Sequence, residues 1–316
     1  MCQKALYSKQ HSLKHLVEII APSAILVQES KLKKIGQINF NGYKTFERLR
    51  KNKDGGGLLT AVVEDLSPVL VSVGSETNEI LTVQVNVGGR RIRIINAYAP
   101  QETPESFVDK SLEFWEELEK EIVAAFKENC MILIELDANA KIGSNLIKNN
   151  PYQNVTNNGK FLIDMAERRN LVILNTLKKC EGTITRQRKV ENKIEKSVLD
   201  YFLVSEDLCQ FLEKMHIDEE QALTLTRYDK KDSNIKSDHN VLHCKFTINY
   251  TIGENKKSDR TVFNLRNTIA KNAFVEDLCK NNTFAENFDE HRDFSVNVKM
   301  FMHSKRNYSK VSRRQK

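Results

Sequence analysis

Apolar residues recur along the chain in short blocks, and the period within each block separates helix from strand. Leu13, Leu16, Val17 and Ile20 mark one face of an amphipathic helix over residues 11–20. Ala24–Gln28, Leu58–Val63 after Gly55-Gly56-Gly57, Met131–Ile134, Leu171–Leu174, Val198–Val204 and Val241–Ile248 are β-rich apolar runs of strand length. Ile80–Val87 and Arg91–Ala97 read as a hairpin around Gly88-Gly89. The clearest helix spans 105–127, where Val108, Leu112, Trp115, Leu118, Ile122 and Phe126 fall near helical spacing among dense Glu and Lys. A further helix is expected from Lys160 to Arg169, with Asn157-Asn158-Gly159 as a tight turn before it. Beyond about residue 250 apolar runs become scarce.

Five of these runs carry polar groups out of the core at one end, where ligands and catalytic side chains collect. In order they are Gln28-Glu29-Ser30, Ala97-Tyr98-Ala99-Pro100, Asp137-Ala138-Asn139-Ala140, Leu199-Asp200-Tyr201 and Ser237-Asp238-His239. Each alone is a weak signal, and a Ser-Asp-His tripeptide arises often by chance. The ordered set resembles the endonuclease/exonuclease/phosphatase superfamily, and within it most resembles the endonuclease domain of non-LTR (LINE-type) retrotransposons. The resemblance covers about residues 10 to 248.

That resemblance implies an α/β fold: two packed β-sheets flanked by helices in four layers, α/β/β/α, of the DNase I-like kind. It implies a Mg²⁺-dependent endonuclease, with Mn²⁺ as a substitute, that hydrolyses a DNA phosphodiester and leaves a 3′-hydroxyl. Glu29 matches the metal-ligating glutamate, and Asp238 is a further metal or supporting carboxylate. Asp137 matches the aspartate that activates or positions water, and Asn139 the asparagine that orients it. Asp200 matches the acid that hydrogen-bonds the histidine, His239 then contacts the scissile phosphate, and Tyr98 reaches it as well. Asn158, Thr183 and Arg186 lie in stretches that resemble nucleic-acid contacts of the family. Glu135 is either a supporting acid beside Asp137 or simply a residue buried in its strand.

Two departures from the pattern suggest a rival reading, a catalytically impaired nucleic-acid-binding remnant. Leu136 stands where the family usually has glycine. Family members also open with a strand ending in asparagine, and Met1-Cys2-Gln3 stand about where that strand would end, so the domain, residues 1–249, is expected to lack it. Another phosphoesterase of the same fold is a further alternative. A reverse transcriptase is the partner domain implied in the parent element, yet no paired-aspartate polymerase motif is present in this sequence.

Composition narrows the classes. The 316 residues are 40% hydrophobic, enough for a sizeable core. No apolar stretch approaches the ~18 residues of a membrane span, and residues 1–20 lack a signal peptide's apolar centre. Six cysteines without Cys-x-x-Cys pairing read as reduced thiols, so an intracellular, non-secreted place is expected, and the inferred role points to the nucleus. Nothing calls for an organic cofactor. The net charge of +7 is mild, but basic residues crowd Lys178–Lys196 and recur at Arg227, Lys230, Lys231 and Lys236. Such a run is either a solvated loop or a phosphate-backbone track. Residues 250–316 read as a polar, basic connector or tail.

Overall fold

A computed structural model describes residues 6, 9–50, 56–102, 107–147, 149–191, 193–223, 226–228, 234–248 and 293–299. In chain order the first half holds α1 (Gln10–Ile20), β1 (Ala24–Val27), β2 (Tyr43–Arg48), β3 (Leu58–Val63), β4 (Val69–Val73), β5 (Glu79–Val87), β6 (Arg90–Tyr98), α2 (Phe107–Lys127) and β7 (Met131–Asp137). The second half holds α3 (Asn157–Arg168), β8 (Leu171–Ile173), β9 (Cys180–Glu181), β10 (Arg186–Val190), β11 (Lys193–Ser197), β12 (Asp200–Ser205), α4 (Glu206–Cys209), β13 (Leu212–Ile217), β14 (Thr226–Tyr228), β15 (Asn234–Lys236), β16 (Val241–Thr247) and β17 (Asp293–Lys299). Two sheets carry the fold, one ordered β2-β3-β1-β17-β16-β13-β9 and the other β4-β5-β6-β7-β12-β8.

Alternation along each strand divides its side chains between two cores. Between the sheets, Leu26, Leu58 and Val62 meet Val83, Ile92, Ile94, Leu133, Phe202, Leu242, Cys244 and Phe246. On the outer face of the six-stranded sheet, Ile95, Ile132, Ile134 and Leu136 pack against α2 and α3. On the outer face of the other sheet, Ile25, Val27, Leu59 and Ala61 pack with Leu13 of α1. The result is the expected α/β/β/α layering.

Three local readings change. The buried stripe of α2 is Phe114, Trp115, Leu118, Ile122 and Ala125, whereas Leu112 and Phe126, expected on that face, are 41% and 38% exposed. The α3 helix begins at Asn157, capped by the Thr156 side chain, so Asn157-Asn158-Gly159 is its first turn rather than a turn before it. Gly159 is needed there for close approach, since a Cβ would sit 2.1 Å from the Lys141 carbonyl oxygen. Finally, β17 lies inside the stretch whose composition reads as a connector. It pairs parallel to β1 and antiparallel to β16, in the interior of the seven-stranded sheet.

Candidate active site

Register lines up four polar residues across one end of the six-stranded sheet. Glu79 of β5 stands opposite Tyr98 of β6, Tyr98 opposite Asp137 of β7, and Asp137 opposite Asp200 of β12. Asp137 shares the parity of Met131 and Leu133, so it faces the space between the sheets. The other sheet answers with Glu29, just past the end of β1, and His239, just before β16.

Asp200 holds His239. The imidazole Nδ1 lies 3.1 Å and 3.0 Å from the two carboxylate oxygens, with both side chains buried. Nε2 is buried and makes no hydrogen bond. Burial works against charge on His239, but the Asp200 carboxylate and its hydrogen bond outweigh burial, with Asp137 and Asp238 adding to them, and raise its pKa. Asp137 is 1% exposed, and burial followed by the Asp200 charge lifts its pKa well above the usual carboxylate range. His239 and the Asn139 amide oppose that rise.

Asn139 adopts a left-handed backbone, φ 45°, a region asparagine tolerates. This turn lets its N–H donate to Asp137 Oδ1 at 3.2 Å while its side-chain amide donates to the Ala99 carbonyl at 2.8 Å. Tyr98 donates its hydroxyl to Glu29 Oε1 at 2.8 Å. Burial first, then the charges of Glu29 and Asp137, push the phenol pKa well up, so it stays a donor.

Glu29 also sits in the left-handed region, φ 48°, and is 3% exposed. Its other oxygen lies 3.3 Å from Lys31 Nζ. The turn is clamped by the backbone: Ser30 N–H donates to Gly57 O and Lys31 N–H to Gly56 O. Gly57 in turn donates to Glu79, which is also paired with Arg50. Glu79 therefore serves the site without touching it. In the sequence the apolar run begins one residue later, at Ile80, so nothing local marks Glu79.

A second clamp holds Ser-Asp-His. Thr185 O accepts from the Asn240 N–H, Thr185 Oγ1 accepts from the Leu199 N–H, and Gln187 N–H donates to Asp238 O. Arg186 forms a bridge to His239 and pairs with Asp238 at 3.3 Å, while Thr183 N–H donates to Glu219. Asn158 is fully buried, accepting from Trp115 Nε1 at 2.9 Å and donating to the Pro100 carbonyl at 2.9 Å. Its side chain braces the exit of β6.

Glu135 lies on the Asp137 side of β7, fully buried, with no hydrogen bond to either oxygen. Burial, then the charges of Asp200 and Asp137, raise its pKa well above the usual carboxylate range. Leu136 points the other way, into the core beneath α2 and α3.

Among the described residues, Asp137, Asp200 and His239 bring their ligand atoms within 4.8 Å of one another. Glu29 and Asp238, the metal ligands implied by resemblance, flank this group: Glu29 through Tyr98, Asp238 through Arg186. Asp200 and Asp137 raise the proton affinity of the acids beside them, and carboxylate oxygens suit a hard divalent cation. The residues fit such an ion. A separate cavity of about 440 Å³, lined by Phe126, Arg168, Arg169 and Glu206, lies at the opposite end of β12 and holds none of these side chains.

No protein-family model matches the chain, and a search of curated proteins finds no match. Solved structures do match. The endonuclease domain of TRAS1, a telomere-specific non-LTR retrotransposon, is 18% identical with a TM-score of 0.51, over 75% of this chain and 90% of that one. The AP endonuclease LMAP from Leishmania major is 14% identical with a TM-score of 0.57, over 75% and 83%. An AP endonuclease from Archaeoglobus fulgidus is 17% identical with a TM-score of 0.55, over 78% and 96%. The chain has the DNase I-like α/β fold found in these structures.

Proposed function

We propose that this chain is a divalent-metal-dependent endonuclease that hydrolyses a DNA phosphodiester bond by water attack and leaves a 3′-hydroxyl. The observation that carries it is the His239–Asp200 pair: an imidazole buried on a carboxylate, its other nitrogen without a partner, beside Asp137 and the Tyr98–Glu29 hydrogen bond. The solved relatives in fold act as nucleases, and a 3′ phosphatase from Neisseria of this fold, 13% identical with a TM-score of 0.57, was captured with a product DNA hairpin.

The residues divide the work. His239, charged through Asp200, presents Nε2 to a phosphate oxygen. Asp137 accepts a proton from the attacking water while Asn139 fixes the turn that aims it. Tyr98 donates toward the same centre when its bond to Glu29 yields. Glu29 and Asp238 would hold Mg²⁺ beside Asp137, and the bound ion would neutralise phosphate charge and lower the pKa of water. Arg186, Arg188, Lys189, Lys193 and Lys196 of the β10–β11 hairpin start at the site and supply a basic track for the nucleic-acid backbone. Lys230 and Lys231 lie outside the described residues. A retrotransposon origin, a partner reverse transcriptase and a nuclear place of action go with this reading.

The impaired-remnant reading loses one motive, because Leu136 packs away from the Asp137 face and crowds nothing at the site. Purified protein should relax supercoiled plasmid in Mg²⁺ and stop on chelation. D137A and H239A should each slow nicking by about 10²–10⁴-fold. Relaxation that survives either substitution would remove the assignment.

A further inference from the structure

The seven-stranded sheet is joined at its middle by a strand that comes late in the chain. Ala24, Ile25 and Leu26 of β1 face Val296, Asn297 and Val298 in parallel register, and all seven residues of β16 face β17 antiparallel, from Val241 with Lys299 to Thr247 with Asp293. Residues 248–292 separate β16 from β17 in the chain, so the two do not form a simple hairpin. Without β17 the sheet falls into two parts, β2-β3-β1 and β16-β13-β9. One part carries Glu29 at the end of β1, the other His239 at the start of β16.

We infer that the slot between β1 and β16 is a strand-docking surface whose occupant is residues Asp293–Lys299 of the same chain, and that the docked strand joins the Glu29 half of the site to the His239 half. Three observations carry this. Both walls of the slot are strands whose backbone groups would otherwise be unpaired inside a sheet, a state proteins avoid. The sequence of the segment alternates, Phe294, Val296 and Val298 with Ser295, Asn297 and Lys299, as a strand within a two-layer core requires. The apolar set is in register with Phe246, Cys244 and Leu242, which are buried between the sheets. A long connection is no obstacle, because closure entropy grows only with the logarithm of loop length.

Native Cys244 makes a direct test, since its partner across the pair is Val296. In the full chain, V296C oxidised at low protein concentration should give an intramolecular disulfide to Cys244, mapped by mass spectrometry. N297C, one residue out of register, should not. A V296C disulfide that links two chains would assign the slot to a second copy and overturn the same-chain occupant. A yield no greater than that of N297C would overturn the docking itself.

Hydrogen exchange on the unmodified chain reads the same point independently. Amides of 293–299 should be protected at least about 100-fold over an unstructured peptide, and exchange at the unprotected rate would overturn the inference. V296P, which removes a strand N–H, should speed exchange in β1 and β16 together while β5–β7 stay protected. Unchanged protection in β1 and β16 would sink the joining role. None of these measurements reads nuclease activity, so their failure and that of the nuclease reading are distinguishable.

Discussion

His239 has a carboxylate on one nitrogen and no hydrogen-bond partner on the other, and the asymmetry is the work of Asp200. Asp200 is also an electrostatic burden, since its charge raises the proton affinity of both Asp137 and Glu135. D200N keeps the shape and removes the charge. It should slow plasmid nicking by about 10²–10⁴-fold while leaving the urea midpoint unchanged or higher. A loss of stability matching the loss of activity would instead mark Asp200 as structural. The convergence of these residues was legible because each lies at one end of a strand-like run, and alternation then turns Asp137 toward the space between the sheets and Leu136 away from it. Glu79 was not legible, because it acts through the backbone amide of a distant segment, and nothing local in sequence marks such a bond.

Elements fix what residues alone would leave loose, and the turn after β1 is the clearest case. Glu29 and Lys31 both have positive φ, held by carbonyls of Gly56 and Gly57. Gly57 itself has φ 86°, and a Cβ there would come 2.9 Å from Ser30 Oγ and 3.1 Å from the Arg48 carbonyl oxygen. G57A should therefore cost about 1–3 kcal/mol in urea unfolding and slow nicking by displacing Glu29. A variant with normal stability and rate would show that the clamp is dispensable. Helix and strand positions were readable from period, whereas the start of α3 was not: Asn-Asn-Gly reads as a turn until Thr156 is seen capping it and Lys141 is seen packed on Gly159. The β17 strand was missed because three alternating apolar residues in a polar stretch signal little without the slot they fill.

At the scale of the molecule, the outer face of the seven-stranded sheet carries its own titration. His243 on β16 is lowered to about 4, first by burial and then by the nearby charges of His216, Lys214 and Lys245. The folded state prefers the neutral ring, so between pH 6.5 and about 4 the unfolded chain binds the extra proton. Stability is thus complete above pH 6.5 and declines as pH falls through this window. H243Q should flatten that decline by on the order of 1–2 kcal/mol, allowing for partial exposure, as read from urea midpoints at pH 7 and pH 4.5. Equal declines in both proteins would assign the acid sensitivity elsewhere.

The order in which the ribosome delivers the strands bears on the same sheet. At about 5–20 residues per second, residues 248–292 occupy roughly two to nine seconds of synthesis between β16 and β17. Through that interval both carboxylate and imidazole halves of the site exist, but the edges of β1 and β16 stand open to any other strand. The site is completed last, with the closing strand, and the nascent chain spends its most aggregation-exposed seconds with the two halves not yet joined.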